Sequence, residues 1–467
     1  MPPMSINRRS FLRTAGYGLG SLALARLLQG EQGSALPTHH PAKAKRVLFL
    51  HMAGAPSQLD LFDPKPKLVE LDKQPVPESF IRGERFAFIK GHPKVLASPY
   101  RFARHGQSGA EFSELLPRMS TLADRWTILR AMHTTEFNHA PAQLFLSTGH
   151  PRAGRPSFGA WMSHGLGTLN ENLPTYVVLN SGRYGPDGGA SLWGAGFLEG
   201  RHQGVRLRSN GAPVLFLEDP PELSREARRD TLDTLGALNR EHAQRTRDPE
   251  IDTRIAQYEL AFRMQQSCPE FADLSGISAA ERERYGVVPG EVRYGNNCLL
   301  ARRLLERGVR FVELHHWGWD SHGTSPDDDI VTSLKQRCGE CDGPTAALLE
   351  DLAASGLLQD TLVIWGGEFG RSCMNEERDG SRFFGRDHHA HAFTLLLAGA
   401  GLRAGTTYGA TDELGYRGIE GQTSVHDLHA TLLHLLGFDH ERLTARFQGR
   451  DYRLTDVHGR VVREILS

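Results

Sequence analysis

The 467-residue sequence predicts an α/β fold, a mostly parallel sheet sandwiched by helices and carrying a helical and loop insertion. Three observations carry this expectation. The runs Arg46–His51, Thr361–Trp365 and Phe393–Ala398 are short and nearly all apolar, as in parallel strands covered on both faces. Between such runs lie stretches of helical period; Asn297–Arg307 is one, stopped by Gly308 and feeding the strand that starts at Val309. Polar residues also gather beyond the strand ends: Glu368 and Arg371 follow one run, and Asp387, His388, His389 and His391 precede another. Open α/β sheets bind ligands at strand ends, so the site is expected there, although a solvated charged loop would carry the same residue types.

The amino terminus reads Asn7-Arg8-Arg9-Ser10-Phe11-Leu12 and then a weakly apolar, glycine-rich run. That order is expected of a twin-arginine export signal, too short to span a membrane stably, with cleavage after Ala25 or Ala35. Residues 1–36 are taken as signal and linker, and residues 44–467 as one domain with an insertion at about 180–290. Export by this route to a periplasmic or extracellular location is the expectation.

After the first strand, Gly54 and Pro56 turn the chain. Asp60 then stands above the strand's carboxyl end, as a ligand or as a helix cap. Asp63 to Ser108 is polar and proline-rich and reads as loops on the sheet edge. Phe112 to Arg130 predicts a helix that leads into a strand, Trp126–Met132. A helix opening at Asn138-His139 and stopping at Thr148-Gly149 would aim its first backbone amides at a bound anion. Leu173–Leu179 reads as a strand, and Asp230 to Gln266 as a charged helical pair that covers the core. Near the end, Leu428, Leu432, Leu435 and Leu436 share one helical face flanked by His429 and His434 in core positions, and Val457–Arg460 predicts a hairpin turn between edge strands.

Net charge is −1 and the isoelectric point about 7.1. No single-sign field draws nucleic acid or an anionic membrane. Five cysteines are too few, and odd in number, for a disulfide framework. Cys338 and Cys341 lie in a helical context and read as structural thiols. Asp320-Ser321-His322 follows a strand end and could offer a carboxylate and an imidazole to one metal ion.

Two motifs resemble a known superfamily. Pro141, Thr148 and Gly149 align with the nucleophile helix of sulfatases, which places His139 at the nucleophile position. Asp360 to Gly370 looks like a sulfatase metal-binding strand end, with Glu368 for the ligating Asp and Phe369 for the ligating His. Over nearly its whole length, through MAGAPSQLDLFDPKP, NHAPAQLFLSTG, LARRLLERGVRFVELHH, GGEFGR and GRDHH, the chain resembles the domain-of-unknown-function 1501 family, an exported, sulfatase-like branch of the alkaline phosphatase superfamily.

The resemblance implies an alkaline-phosphatase-like fold and a divalent ion, zinc or calcium, held by Asp320, His322 and a late histidine: His388, His389 or His391. Glu368 and Asp387 stand near as further ligands. The second metal site of the superfamily is degenerate, with Ala53, Phe369 and His139 at ligand positions. The implied activity is hydrolysis of a small phosphate or sulfate ester or a sulfated or phosphorylated glycan. Asn138 and His139 would sit at the nucleophile position, His139 as covalent acceptor or base; Arg371 would grip the anion, and Glu368 would act as ligand or base. The alternative is an exported binding protein that keeps the fold and anion pocket without turnover.

Overall fold

A computed structural model describes residues 35–84, 86, 88–208, 213–214, 219–220 and 222–467; the twin-arginine segment lies outside them. In chain order the elements that frame the site begin with β1 (Arg46–Ala53), α1 (Gln58–Leu61), β2 (Thr127–His133), α2 (His139–Thr148), α3 (Phe158–Leu166), β3 (Tyr176–Ser181) and β4 (Val205–Leu207). They continue with α4 (Arg225–Thr246), α5 (Pro249–Ala272), α6 (Tyr294–Glu306), β5 (Phe311–Trp317), α7 (Ser333–Ala354), β6 (Thr361–Gly366) and β7 (Gly370–Asn375). Last come β8 (Arg386–His389), β9 (Phe393–Gly399), β10 (Thr406–Tyr408), β11 (Thr423–Ser424) and α8 (Val425–Leu435).

The nine-stranded sheet runs β10-β2-β9-β6-β1-β5-β3-β4, with β11 also paired to β2. Alternation along β1 sends Val47 and Phe49 to one face, where they join the apolar sides of α2, α3 and α8. Leu48 and Leu50 face the other layer, built from α6 and α7 with Met264 and Phe271 of α5. Of the charged pair α4 and α5, α5 thus reaches the core through a few apolar side chains, and Ser424 opens α8 with a capping box to Asp427.

One strand departs from the parallel expectation. β9 is antiparallel to both β6 and β2, whereas β1 runs parallel to β5 and β6. An all-apolar run marks burial on two faces whatever the strand's direction, so composition did not reveal the reversal. Its consequence is functional. The entry of β9, not its exit, lies at the carboxyl edge of β1, β5 and β6, which brings β8 to the same edge as the loop after β6.

Two further expectations are corrected. Phe112 to Arg130 holds the end of a hairpin strand (Ala110–Ser113) and a seven-residue 3-10 turn (Met119–Arg125) instead of an α-helix, because Pro117 interrupts the helical period. The terminal hairpin pairs Ala445–Phe447 with Arg450–Tyr452 about Gln448 and Gly449, both at positive φ, and not about Val457–Arg460. Cys298, Cys338 and Cys341 are buried free thiols on the facing helices α6 and α7, and burial pushes their pKa values up. His429 is buried and donates from Nε2 to the Leu146 carbonyl at 2.8 Å. Among the described residues no helix is long and apolar enough to cross a membrane.

Candidate metal centre

Four chain segments converge on the carboxylate of Asp320, just beyond the end of β5. Its Oδ1 lies 2.9 Å from His322 Nε2, 3.3 Å from His139 Nε2 and 3.4 Å from His388 Nε2. It also accepts from Arg371 Nη2 at 2.5 Å. His139 comes from the first turn of α2, His388 from β8 and Arg371 from β7, so the antiparallel β9 is what allows the meeting.

Each imidazole is held from behind through its other nitrogen. His139 Nδ1 donates to Glu368 Oε1 at 2.6 Å, His388 Nδ1 donates to the Phe137 carbonyl at 2.7 Å, and His322 Nδ1 pairs with the buried Glu376. With Nδ1 so occupied, every neutral ring presents its Nε2 lone pair to the same point. Metal-binding histidines are oriented in this way, by a carboxylate or carbonyl on the second nitrogen. His139 Nε2 is buried without a hydrogen-bond partner, and one donor atom from each of His139, Asp320, His322 and His388 lies within 4.8 Å of the others.

The electrostatics follow the geometry. Burial alone would lower the pKa of His139, but the nearby Asp320 carboxylate and the bond to Glu368 outweigh burial and raise it to about 9. The same contest raises His322, through Asp320 and Glu376. Burial wins at His388, lowered to about 4. Asp320 stays well below the usual carboxylate range: burial opposes this, and the Arg371 charge and the three imidazoles outweigh it. Its side chain is 39% exposed, so the cluster opens to solvent on that side.

The remaining sequence candidates sit elsewhere. Glu368 is fully buried; it accepts from His139, from Gln143 at 2.9 Å and from the Gly54 amide at 3.1 Å, with His51 Nε2 at 3.3 Å. It orients His139 and is not among the residues whose donor atoms group around Asp320. Arg371 is also fully buried, and besides Asp320 it donates to the carbonyls of Gly54, Ala55 and Arg386. Its guanidinium fixes Asp320 and is not free to grip an anion. Asp387 accepts from the amides of Phe88, Ile89 and His388, although it groups loosely with His322 and Glu376. Asn138 is exposed at the start of α2 and makes no side-chain cap bond. His389 turns to the Tyr416 carbonyl at 2.5 Å and His391 is 47% exposed, which leaves His388 as the late histidine that points inward. Asp60 is neither ligand nor cap; Arg386 donates to it from Nε at 2.7 Å and Nη2 at 3.1 Å, a buried bidentate pair.

Sequence reasoning passed over Glu376, in a charged loop that reads as solvated, and His51, inside an apolar strand. Phe369, at a position where the superfamily has a ligand, instead stacks near His139 and His388 with centroids 4.8 and 4.7 Å away. Phe88 packs edge-on against His322 and His388, and Arg378 lies over its ring at 4.1 Å.

Fold and site together define an α/β protein with an imidazole-rich, carboxylate-centred cluster over the strand ends of its sheet. Residues 44–466 match a family model described as "Protein of unknown function (DUF1501)", and the chain belongs to that family. A comparison with curated proteins finds no match. Among solved structures the chain is similar to a sulfatase from Pseudoalteromonas sp. (12% identity, 94% of this chain and 75% of that one, TM-score 0.37). It is also similar to a protein in the alkaline phosphatase superfamily from Vibrio parahaemolyticus (12%, 87% and 69%, 0.37) and to a phosphonate monoester hydrolase from Silicibacter pomeroyi (11%, 91% and 76%, 0.36). At such identities and scores these likenesses assign no activity, and family membership rests on the sequence match.

Proposed function

We propose that the protein is an exported, metal-dependent hydrolase of phosphate or sulfate esters, with Asp320, His322 and His388 holding one divalent ion. The observation that carries this reading is the set of three Nε2 atoms turned on one solvent-facing carboxylate, each ring anchored through Nδ1. Two or three imidazoles and one carboxylate suit zinc or a similar transition ion better than calcium, which prefers an all-oxygen shell. Three protein ligands would leave a coordination position open, as catalytic sites require. Such an ion, when bound, polarises an ester oxygen or a water molecule.

The chain's own residues do the rest. Glu368, itself held by Gln143, fixes His139 so that its Nε2 faces Asp320, where, once its proton is displaced, it can take one from an attacking water. Arg371 fixes Asp320 by charge and hydrogen bond. Phe88 and Phe369 line the imidazoles with apolar surface and limit water. Arg378, 29% exposed, places a cation at the mouth beside His322. The small anionic ester or charged glycan expected from the resemblance would enter there, and the twin-arginine segment at Arg8-Arg9 supports an exported location.

A second reading, a metal- or anion-binding protein without turnover, is favoured by two observations: no hydroxyl or thiol nucleophile stands at His139, and Arg371 has no free donors facing solvent. The deciding experiment measures metal content together with turnover of aryl phosphate and aryl sulfate esters. The hydrolase reading expects about one ion at this centre, lost in His322→Ala along with activity, and His139→Gln that keeps the ion but loses turnover. If His139→Gln loses the ion too and no ester is turned over, His139 is a fourth ligand and the binding reading holds.

A further inference from the structure

Behind the candidate centre, on the sheet face covered by α2, α3 and α8, a chain of buried polar side chains leads away from Glu368. His51 of β1 and His315 of β5 are register partners across a parallel pair, and Glu313 stands two residues before His315 on the same face. All three are essentially inaccessible, at 0%, 1% and 2% exposure. The His51 ring stacks on Phe49 with centroids 5.1 Å apart, and Trp193 packs against His315 at 5.8 Å. Between such apolar walls the chain has to satisfy its own hydrogen bonds.

The contacts run in single file. Glu368 Oε2 lies 3.3 Å from His51 Nε2, His51 Nδ1 lies 3.1 Å from His315 Nδ1, and His315 Nε2 lies 3.3 Å from Glu313 Oε1. The other Glu313 oxygen accepts from the Tyr176 hydroxyl, and the other Glu368 oxygen accepts from His139. Three gaps between electron-rich atoms need three protons, and two neutral imidazoles bring two. The third has two possible homes. On His51 it would make an imidazolium between two ionised carboxylates, three buried charges in a row. On Glu313 it leaves a single charge, at Glu368, and burying fewer charges costs less. His315 Nε2 has no partner for an N–H of its own, so it is placed to accept.

We propose that Glu313 is a neutral carboxylic acid that donates to His315 Nε2 and so turns every donor of the chain toward Glu368, making Glu313, His315 and His51 remote positioning residues of the candidate centre. His315 then donates from Nδ1 to His51 Nδ1, and His51 donates from Nε2 to Glu368 Oε2. Burial raises the Glu313 carboxyl to about 7 although Tyr176 and His51 work against it, and burial keeps His315 neutral. At the far end burial opposes the charge on Glu368, and the bonds from His139 and His51 outweigh it. An ionised Glu313 would draw the His315 proton to Nε2. That would reverse both imidazoles, and a His51 lone pair would then face the Glu368 carboxylate. The proton on Glu313 therefore keeps Glu368 fixed on one oxygen, with the other aimed at His139. These bonds belong to the chain itself, so the inference holds whether or not an ester is turned over.

Neutron diffraction from deuterated wild-type crystals at mildly acidic pH tests it. Deuterons are expected on Glu313 Oε1, His315 Nδ1 and His51 Nε2, with none on His315 Nε2 or His51 Nδ1. A deuteron on His315 Nε2, or on both His51 nitrogens, overturns the proposal. The positioning role is read separately from the His139 Nδ1 proton resonance at fixed pH, in variants shown to be folded by circular dichroism. His51→Phe removes the donor to Glu368 Oε2 and is expected to shift that resonance, whereas His51→Gln, whose amide can donate in its place, is expected to restore it. An unmoved resonance in folded His51→Phe overturns the positioning role; if that variant does not fold, the deuteron on His51 Nε2 decides. Failure of the hydrolase reading shows elsewhere, as the absence of ester turnover with the deuterons in place.

Discussion

His139 is the residue at which burial and hydrogen bonding oppose each other most visibly. In the ion-free protein its pKa stands at about 9 against an ordinary 6.5. A raised pKa stabilises the fold below the unfolded value and loses that contribution as pH rises through the folded one. The ion-free protein is therefore expected to lose stability between pH 6.5 and about 9. Metal binding runs the other way, because an ion at this centre must displace protons from His139 and from His322. Affinity should climb with pH up to about 9, by roughly tenfold per pH unit for each proton displaced. Competition with a chelator across that range measures it, and a flat profile would mean that neither imidazole is protonated before the ion enters.

At the scale of elements, the site depends on the close approach of two loops. Gly54, just after β1, has φ +110°, and a Cβ there would lie 2.6 Å from the Asp320 amide nitrogen. Its own amide donates to Glu368 and its carbonyl accepts from Arg371. Gly54→Ala must therefore strain the backbone, at roughly 1–3 kcal/mol, and push Asp320 away from the imidazoles. The expected outcome is a folded but less stable protein whose ion affinity falls at least tenfold, read by denaturant unfolding and metal titration. Unchanged affinity would show that the loop contact does not position Asp320. The buried Asp60–Arg386 pair does comparable work on the other side, tying α1 to the strand that carries His388.

For the whole molecule, the four site segments lie far apart in sequence and close a cleft only when the sheet is complete. An ion that binds the folded cleft and not the unfolded chain stabilises the protein by mass action, about 2.7 kcal/mol at a hundredfold excess over its dissociation constant. The melting temperature should rise with added Zn²⁺ in the wild type and rise less in His322→Gln. Equal shifts in both would place the stabilising ion elsewhere in the fold.

What the sequence by itself determined is the buried central strands β1, β2, β3, β5, β6 and β9 and the residues gathered at their ends, because apolar period, glycine stops and short motifs are local properties; the polar strands β7 and β8, which carry Arg371 and His388, read as loop. From these followed the sheet, the Asp320-His322 pair, and the placing of His139 and Glu368 near one another. Tertiary structure alone decided direction and orientation. It reversed β9, chose His388 over His389 and His391, turned Glu368 and Arg371 from ligand and anion clamp into supports for His139 and Asp320, and recruited Glu376 and His51, which no local pattern marked. The reason is physical: which way a side chain points, and whether its second nitrogen or oxygen is already bonded, depends on neighbours hundreds of residues away, as with His139 and Glu368, 229 positions apart.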